Sequence, residues 1–212
     1  ITEHEAIEML AQHRITQPVF DALFPDRSFI QENPVSRSIQ RVSETLNQYR
    51  LDSEVEKLER FYEQIRNRAA LAQSEKSRQD LIKGLYESFF KSAFEDMAAR
   101  LGIVYTPVEI VDFIIQSVND ALEDHFGRSL SDEGVHVLDP FTGTGTFITR
   151  LLQHESLIRR EDLKRKYEQE LHANEIVLLA YYVAAANIES AYRARNGGDG
   201  GDFPGAVLTD TF

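Results

Sequence analysis

VLDPFTGTGTFITRLL, residues 137–152, is the stretch on which the reading of this chain turns. Two apolar residues lead into an acid and a proline, two glycines follow one residue apart, and an apolar run at helical spacing comes after them. That order reads as a strand, a tight turn in which Gly143 and Gly145 permit backbone angles other residues resist, and a helix from about Thr146. Upstream, "TPVEIVDFIIQSVNDALEDHFG" reads as a helix opened by Thr106, Pro107 and Glu109 and closed at Gly127, with "VHVLD" as the strand that feeds the turn. Downstream come a charged helical segment at "REDLKRKYEQE", a strand "ELHANE", a helix "VLLAYYVAAANIESAYRAR", a glycine-rich loop and a strand "AVLTD". Strands alternating with helices imply parallel pairing and a doubly wound α/β sheet. Ligands of such sheets bind outside the carboxyl ends of the strands. Asp139, Glu175 and Asp210 all stand at predicted strand ends and are expected to line one crevice.

Residues 1–97 read differently, as helices with apolar residues three and four apart and little strand-like alternation. In "ENPVSRSIQRVSETLNQY", Asn33 suits a helix cap and Pro34 the first turn, where an N–H has no partner to lose. Ser53 and Glu56 fit a capping box, ahead of a stripe of Val55, Leu58, Phe61, Tyr62 and Ile65. A further long helix is expected across "QDLIKGLYESFFKSAFEDMA", with Leu81, Leu85, Phe89 and Phe94 on its buried side. The expected organisation is therefore a helical region over 1–97 and an α/β region over 98–212.

Composition narrows the function. A 212-residue chain with 42 % hydrophobic residues has ample material for a core, and no window approaches the ~18 consecutive apolar residues of a membrane span. The N-terminus is acidic and amphipathic, which does not suit a secretion signal. The absence of cysteine rules out disulfides and thiolate metal sites and agrees with a cytoplasmic location. The six histidines are scattered along the sequence, suggest no metal site, and His172 reads as structural. A net charge of −12 argues against a broad basic surface that would hold a phosphate backbone. If nucleic acid is the substrate, another part of a larger protein grips it. The start without Met and the stop at "VLTDTF" read as a fragment of such a protein.

The glycine turn discriminates among ligands. A P-loop needs Lys and Ser or Thr after its last glycine, and here Thr146 and Phe147 follow. A dinucleotide fingerprint needs a third glycine where Ile148 stands, and Asp139 would repel a pyrophosphate. An acid beside exposed backbone suits a ligand with a cationic ammonium group and a carboxylate. S-adenosylmethionine is such a ligand. Asp139 then faces its ammonium, Glu175 accepts from both ribose hydroxyls, Asp210 accepts from the adenine amine, and Ile176 and Phe212 flank the ring.

At this point the sequence resembles a known family. "DPFTGTGTF" at 139–147 looks like the first motif of the amino-methyltransferases that modify adenine in DNA. "GIVYTP" at 102–107 is similar to the segment enclosing the methionine end of the cofactor, and "ANEI" at 173–176 and "LTDTF" at 208–212 correspond to the next two cofactor motifs. Together with "ITQPVFDALF", "NPVS", "LYESFFKSAF" and "HANEIVLLAYYVAAANIE", these resemble the single-chain Type ISP restriction-modification enzymes over nearly the whole chain. The resemblance implies a helical coupler followed by part of a Rossmann-like, S-adenosylmethionine-dependent DNA adenine-N6 methyltransferase. It implies DNA, a helicase-like motor and a target-recognition domain as partners in the full enzyme. It implies cofactor roles for Tyr105, Thr106, Pro107, Asp139, Gly143, Gly145, Phe147, Glu175, Ile176 and Asp210.

Two departures accompany it. Glu175 lies further beyond the glycine turn than the ~20 residues usual for a ribose-binding acid, because the charged segment intervenes. The family's catalytic motif, Asn or Asp followed by two prolines and an aromatic residue, does not occur, so no catalytic residue is expected here and the chain alone is expected not to methylate. The competing reading is a helical coupling scaffold that links a motor to a methyltransferase without binding cofactor.

Overall fold

The computed structural model describes residues 3–23, 33–46, 59–71, 77, 81, 84 and 106–212. It divides into two compact units, Ile1–Glu87 and Ser88–Phe212, each taken here by itself. The expected boundary at 97 and 98 lies outside the described residues.

The first unit contains α1 (Glu3–Leu23), α2 (Pro34–Leu46) and α3 (Glu59–Leu71). Asn33 caps α2 as its sequence predicts: its Oδ1 accepts from the Val35 N–H at 3.0 Å and the Ser36 N–H at 3.1 Å. Tyr62 and Ile65 of α3 are buried, and the Tyr62 hydroxyl donates to the Ile15 carbonyl at 3.0 Å, tying α3 to α1. His13 Nε2 and Gln40 Oε1, 3.1 Å apart, join α1 to α2. Leu81 is half-buried; Ser53, Val55, Glu56, Leu58, Leu85, Phe89 and Phe94 lie outside the described residues.

The second unit begins with α4 (Val108–Phe126), which follows Pro107 and ends at Gly127, whose φ of 60° and N–H bond to the Glu123 carbonyl close the helix. Then come β1 (Val137–Asp139), α5 (Thr146–Gln153), α6 (Leu163–Arg165), a π-helical turn (Lys166–Glu170), β2 (Leu171–Glu175), α7 (Leu178–Arg195) and β3 (Ala206–Leu208). The strands pair in parallel in the order β1-β2-β3, with Val137 opposite Leu171, Asp139 opposite Ala173, and Glu175 opposite Leu208. Successive strand residues face opposite sides. Leu171 and Ala173 enter one core with Val111 and Ile115 of α4, Ile148, Leu151 and Leu152 of α5, and Ile188 and Tyr192 of α7. Tyr167 stacks on Tyr192 with ring centroids 3.7 Å apart and closes that core toward Phe203. Arg150 holds α5 to α4 by two 2.7 Å bonds to the Asp112 carboxylate, whose pKa these bonds lower to about 2.

The architecture is thus a helical N-terminal region followed by an α/β unit with a small, three-stranded parallel sheet. Among the described residues, helices cover one face of that sheet. The other carries Leu138 and Val207, 54 % and 49 % exposed, so the fully doubly wound arrangement is only partly present. β3 is also shorter than expected, stopping at Leu208, two residues before Asp210.

The larger difference concerns "REDLKRKYEQE". It reads as a charged helical segment, yet only three residues are α-helical before the π turn, and Lys166 is fully buried. Lys166 Nζ donates to the Asp132 and Val135 carbonyls at 2.8 and 2.7 Å and to the Glu170 carboxylate at 2.7 Å. Glu170 also accepts from the Gly134 N–H at 2.8 Å and from Arg165 at 2.6 Å. Burial pushes the Glu170 pKa up, but the bonds from Lys166, Gly134 and Arg165 outweigh it and hold it at about 2. These charges tie the loop entering β1 to the turn entering β2.

Removing one partner of such a pair leaves the other buried and uncompensated. Glu170→Gln is expected to lower the unfolding free energy by about 3–5 kcal/mol at neutral pH. Because the folded pKa lies below the ordinary 4.5, the stabilisation is complete above 4.5 and is lost as pH falls toward 2. The difference between wild type and variant in urea unfolding should close over that range.

Candidate functional site

Asp139 ends β1 and Glu175 ends the adjacent β2, so parallel pairing brings both carboxylates to the same edge. The turn between β1 and α5 is drawn over them. Thr142 N–H donates to the Asn174 carbonyl at 3.0 Å, and Thr142 Oγ1 donates to the Asp139 carbonyl at 2.9 Å. Gly143 N–H donates to Glu175 Oε2 at 2.7 Å, while Glu175 Oε1 accepts from the Val177 N–H at 2.7 Å. One carboxylate therefore joins the glycine turn to the start of α7. Burial pushes the Glu175 carboxyl up, the N–H groups of Val177, Gly143 and Ile176 work against that shift, and the Asp139 charge adds to it.

Asp139 is less well matched. Its Oδ1 accepts from the Phe141 N–H at 3.3 Å, and its Oδ2 is buried without any partner. Burial pushes its carboxyl above the ordinary range and the Phe141 N–H offsets this only in part. A buried, singly bonded carboxylate is costly, and a cationic donor at Oδ2 would relieve it. Asp139 also borders a cleft of about 270 Å³ between α4, β1 and α5, walled by Ile114, Val118, Leu138, Phe147 and Leu151.

The two glycines differ in role. Both have positive φ, 56° at Gly143 and 80° at Gly145. A Cβ at Gly143 would meet nothing within 4 Å, so that side of the turn is open to a ligand. At Gly145 it would lie 3.0 Å from Ala184 Cα, so this glycine lets the turn seat against α7. Beyond the turn, Phe147 packs half-buried against the core.

The remaining expected site residues are spread along the strand ends. Ile176 is 52 % exposed just past β2. Asp210 is exposed beyond β3, its Oδ1 accepting from the Phe212 N–H at 3.1 Å. Phe212, expected with Ile176 to flank the adenine ring, packs on Phe141, with ring centroids 5.7 Å apart, and Thr211 Oγ1 donates to the Pro140 carbonyl at 2.6 Å. After β3 the chain thus returns across the sheet to the end of β1. Phe141, which the sequence reading did not single out, is an aromatic side chain inside the turn motif and is 65 % exposed. Thr106 and Pro107 stand at the start of α4, about two turns ahead of its cleft residue Ile114. Tyr105 lies outside the described residues.

Residues 77–195 match the family model of the N-6 DNA methylases. The chain belongs to that family. Residues 1–77 match the coupler domain of Type ISP restriction-modification enzymes, so coupler and methylase segments of such an enzyme follow one another here. Among solved structures, a nuclease-deletion mutant of the Type ISP enzyme LlaGI in complex with a DNA substrate mimic is 47 % identical, with a TM-score of 0.87 over 100 % of this chain and 17 % of that one. The ATP-dependent Type ISP enzyme LlaBIII bound to DNA is 49 % identical, with a TM-score of 0.87 over 99 % of this chain and 14 % of its own. DrdV in a DNA complex is 38 % identical, with a TM-score of 0.86 over 99 % of this chain and 20 % of its own. The chain therefore spans a fifth or less of the length of these relatives. No curated protein sequence matches it. Among the described residues, no helix is long and apolar enough to cross a membrane.

Two outcomes test the geometry of this N-6 DNA methylase turn. Gly143→Ala incurs only the left-handed backbone penalty of about 1–2 kcal/mol. Gly145→Ala adds the collision with Ala184 and should lose measurably more in urea unfolding; equal losses would show that the turn is not seated on α7. Asp139→Asn removes a buried charge and should raise the unfolding free energy by about 1 kcal/mol at neutral pH. A raised folded pKa means that the penalty develops as pH rises above the ordinary 3.8, so this gain should vanish in more acidic solution.

Proposed function

We propose that the strand-end crevice is the S-adenosylmethionine site of a DNA adenine-N6 methyltransferase within a cytoplasmic, single-chain restriction-modification enzyme. The observation that carries this reading is the unpartnered Asp139 Oδ2, buried beside the open face of Gly143. The residues fit the cofactor's chemistry: an ammonium would satisfy Asp139, and backbone at Gly143 can be approached closely. Glu175 has lone pairs left after its two backbone bonds and accepts from the ribose hydroxyls.

Ile176 and the exposed Phe212 border the adenine, with Asp210 accepting from its amine. Phe147 and Gly145 support the turn from behind, and Tyr105, Thr106 and Pro107 enclose the methionine end. Bound there, the cofactor supplies an electrophilic methyl group on a sulfonium. The chain's own residues bind it, orient it and exclude water from its apolar parts. They bring no Asn/Asp-Pro-Pro-aromatic motif, so the flipped adenine is held by residues outside this sequence. DNA is gripped elsewhere in the parent enzyme as well, in keeping with the net charge of −12. The helical region of residues 1–97 then couples the motor to this domain and to the target-recognition domain of the same enzyme.

Calorimetric titration of the purified chain with S-adenosylmethionine should show saturable binding that Asp139→Ala and Glu175→Ala each weaken at least tenfold, a loss of about 1.4 kcal/mol. Labelled cofactor should transfer no methyl group to DNA. Absent binding by folded wild type, with tight association of a separately produced motor domain, would sink the cofactor reading in favour of a coupling scaffold.

A further inference from the structure

α7 follows β2 and is buried around almost its whole circumference from Leu178 to Tyr192. Its interior composition is apolar and small: Ala180, Val183, Ala184, Ala185, Ala186, Ile188. Asn187 interrupts that pattern. Its Nδ2 donates to the Thr144 carbonyl at 3.0 Å, and its Oδ1 is buried without a partner. An unsatisfied amide oxygen costs about 1–3 kcal/mol, which an apolar residue at this position would avoid. Stability alone therefore does not account for an asparagine here.

What Asn187 supplies is a fixed peptide plane. Thr144 lies between the two glycines, and its carbonyl shares a peptide group with the Gly145 N–H, which donates to the Thr142 carbonyl at 2.9 Å. One helical turn before Asn187, Ala184 meets Gly145 so closely that a Cβ there would lie 3.0 Å from the Ala184 Cα. Two residues on one face of α7 thus hold the rear of the turn, by a hydrogen bond and by steric contact. On the other side Glu175 holds the Gly143 N–H. A turn with positive φ at both glycines is free to rotate its intervening peptide unless something fixes it.

Resting on the cofactor reading above, we propose that Asn187 is a positioning residue for S-adenosylmethionine: by fixing the Thr144 carbonyl from behind, it presents the glycine turn in its binding-competent shape. It touches no ligand atom, and it acts through the turn. Ala184 is its steric counterpart.

The test separates affinity from stability. Asn187→Ala removes the unsatisfied amide oxygen but also strips the Thr144 carbonyl of its donor, and these opposing changes should leave urea unfolding little altered. The calorimetric dissociation constant for S-adenosylmethionine should rise roughly 5- to 10-fold, the equivalent of one lost hydrogen bond. Asn187→Asp, of the same size but without a donor, should weaken binding further by placing a carboxylate against the Thr144 carbonyl. It carries the same comparison if the alanine variant does not fold. Unchanged affinity in a folded variant would overturn the positioning role while wild-type binding keeps the cofactor reading intact. Affinity and stability falling in proportion, or neither variant folding, would reduce Asn187 to a packing residue and overturn it too. No binding by wild type would instead refute the cofactor reading itself.

Discussion

The Glu175 carboxylate is the point on which the second unit's functional end depends. It stands at the end of β2, takes the N–H that starts α7 on one oxygen, and takes the N–H of Gly143 on the other. Two pieces of chain 32 residues apart, the glycine turn and the β2–α7 junction, are joined through one side chain. The interaction is charge-assisted, and it lies where the strand ends have exhausted their ladder partners, so it continues the pairing of β1 and β2 by side-chain means. Remove it and the turn loses its tie to the neighbouring strand, while the Val177 and Gly143 N–H groups lose their acceptors.

The opposite end of the same two strands is held by a different device with the same logic. Lys166, Glu170 and Arg165 tie the approach to β1 to the approach to β2, using three carbonyls and a glycine N–H as the other partners. Short strands cannot hold register by ladder bonds alone; β1 has three residues and β3 has three. Polar clamps at each end make up the difference. Between the clamps the sheet needs only small and aliphatic residues, and Ala173 and Leu171 suffice.

Against these satisfied clamps, Asp139 and Asn187 each have one buried oxygen without a partner, as Ser129 and Thr149 do elsewhere in the unit. They lie on either side of one glycine turn, and on the proposed reading the Asp139 oxygen is left for the cofactor's ammonium while Asn187 keeps the turn in place. Sites of binding are where local stability is commonly given up for function.

The strand–turn–helix at 137–152, the cap at Asn33, the closure at Gly127 and the strand-end acids Asp139 and Glu175 were legible because each rests on local geometry: a period, a φ requirement, a capping oxygen. The turn sequence and its flanking motifs were enough to indicate the methylase family and a cofactor class. What lay beyond sequence reading was every property set by register. The charged run at 160–170 reads as a helical segment in any window of sequence, and only the approach of Asp132 and Val135 from another segment turns its lysine inward. His136 and His172, 36 positions apart, meet at 3.0 Å because pairing sets Leu138 opposite His172. Phe212 reaches Phe141 because the chain folds back after β3. Gly143 and Gly145 look equivalent in the sequence, and only the packing of α7 makes one an open approach and the other a seat. Local backbone preference determined the elements and the types of chemistry they carry. Long-range packing, which no short window encodes, decided which groups were buried, paired or left available to a ligand.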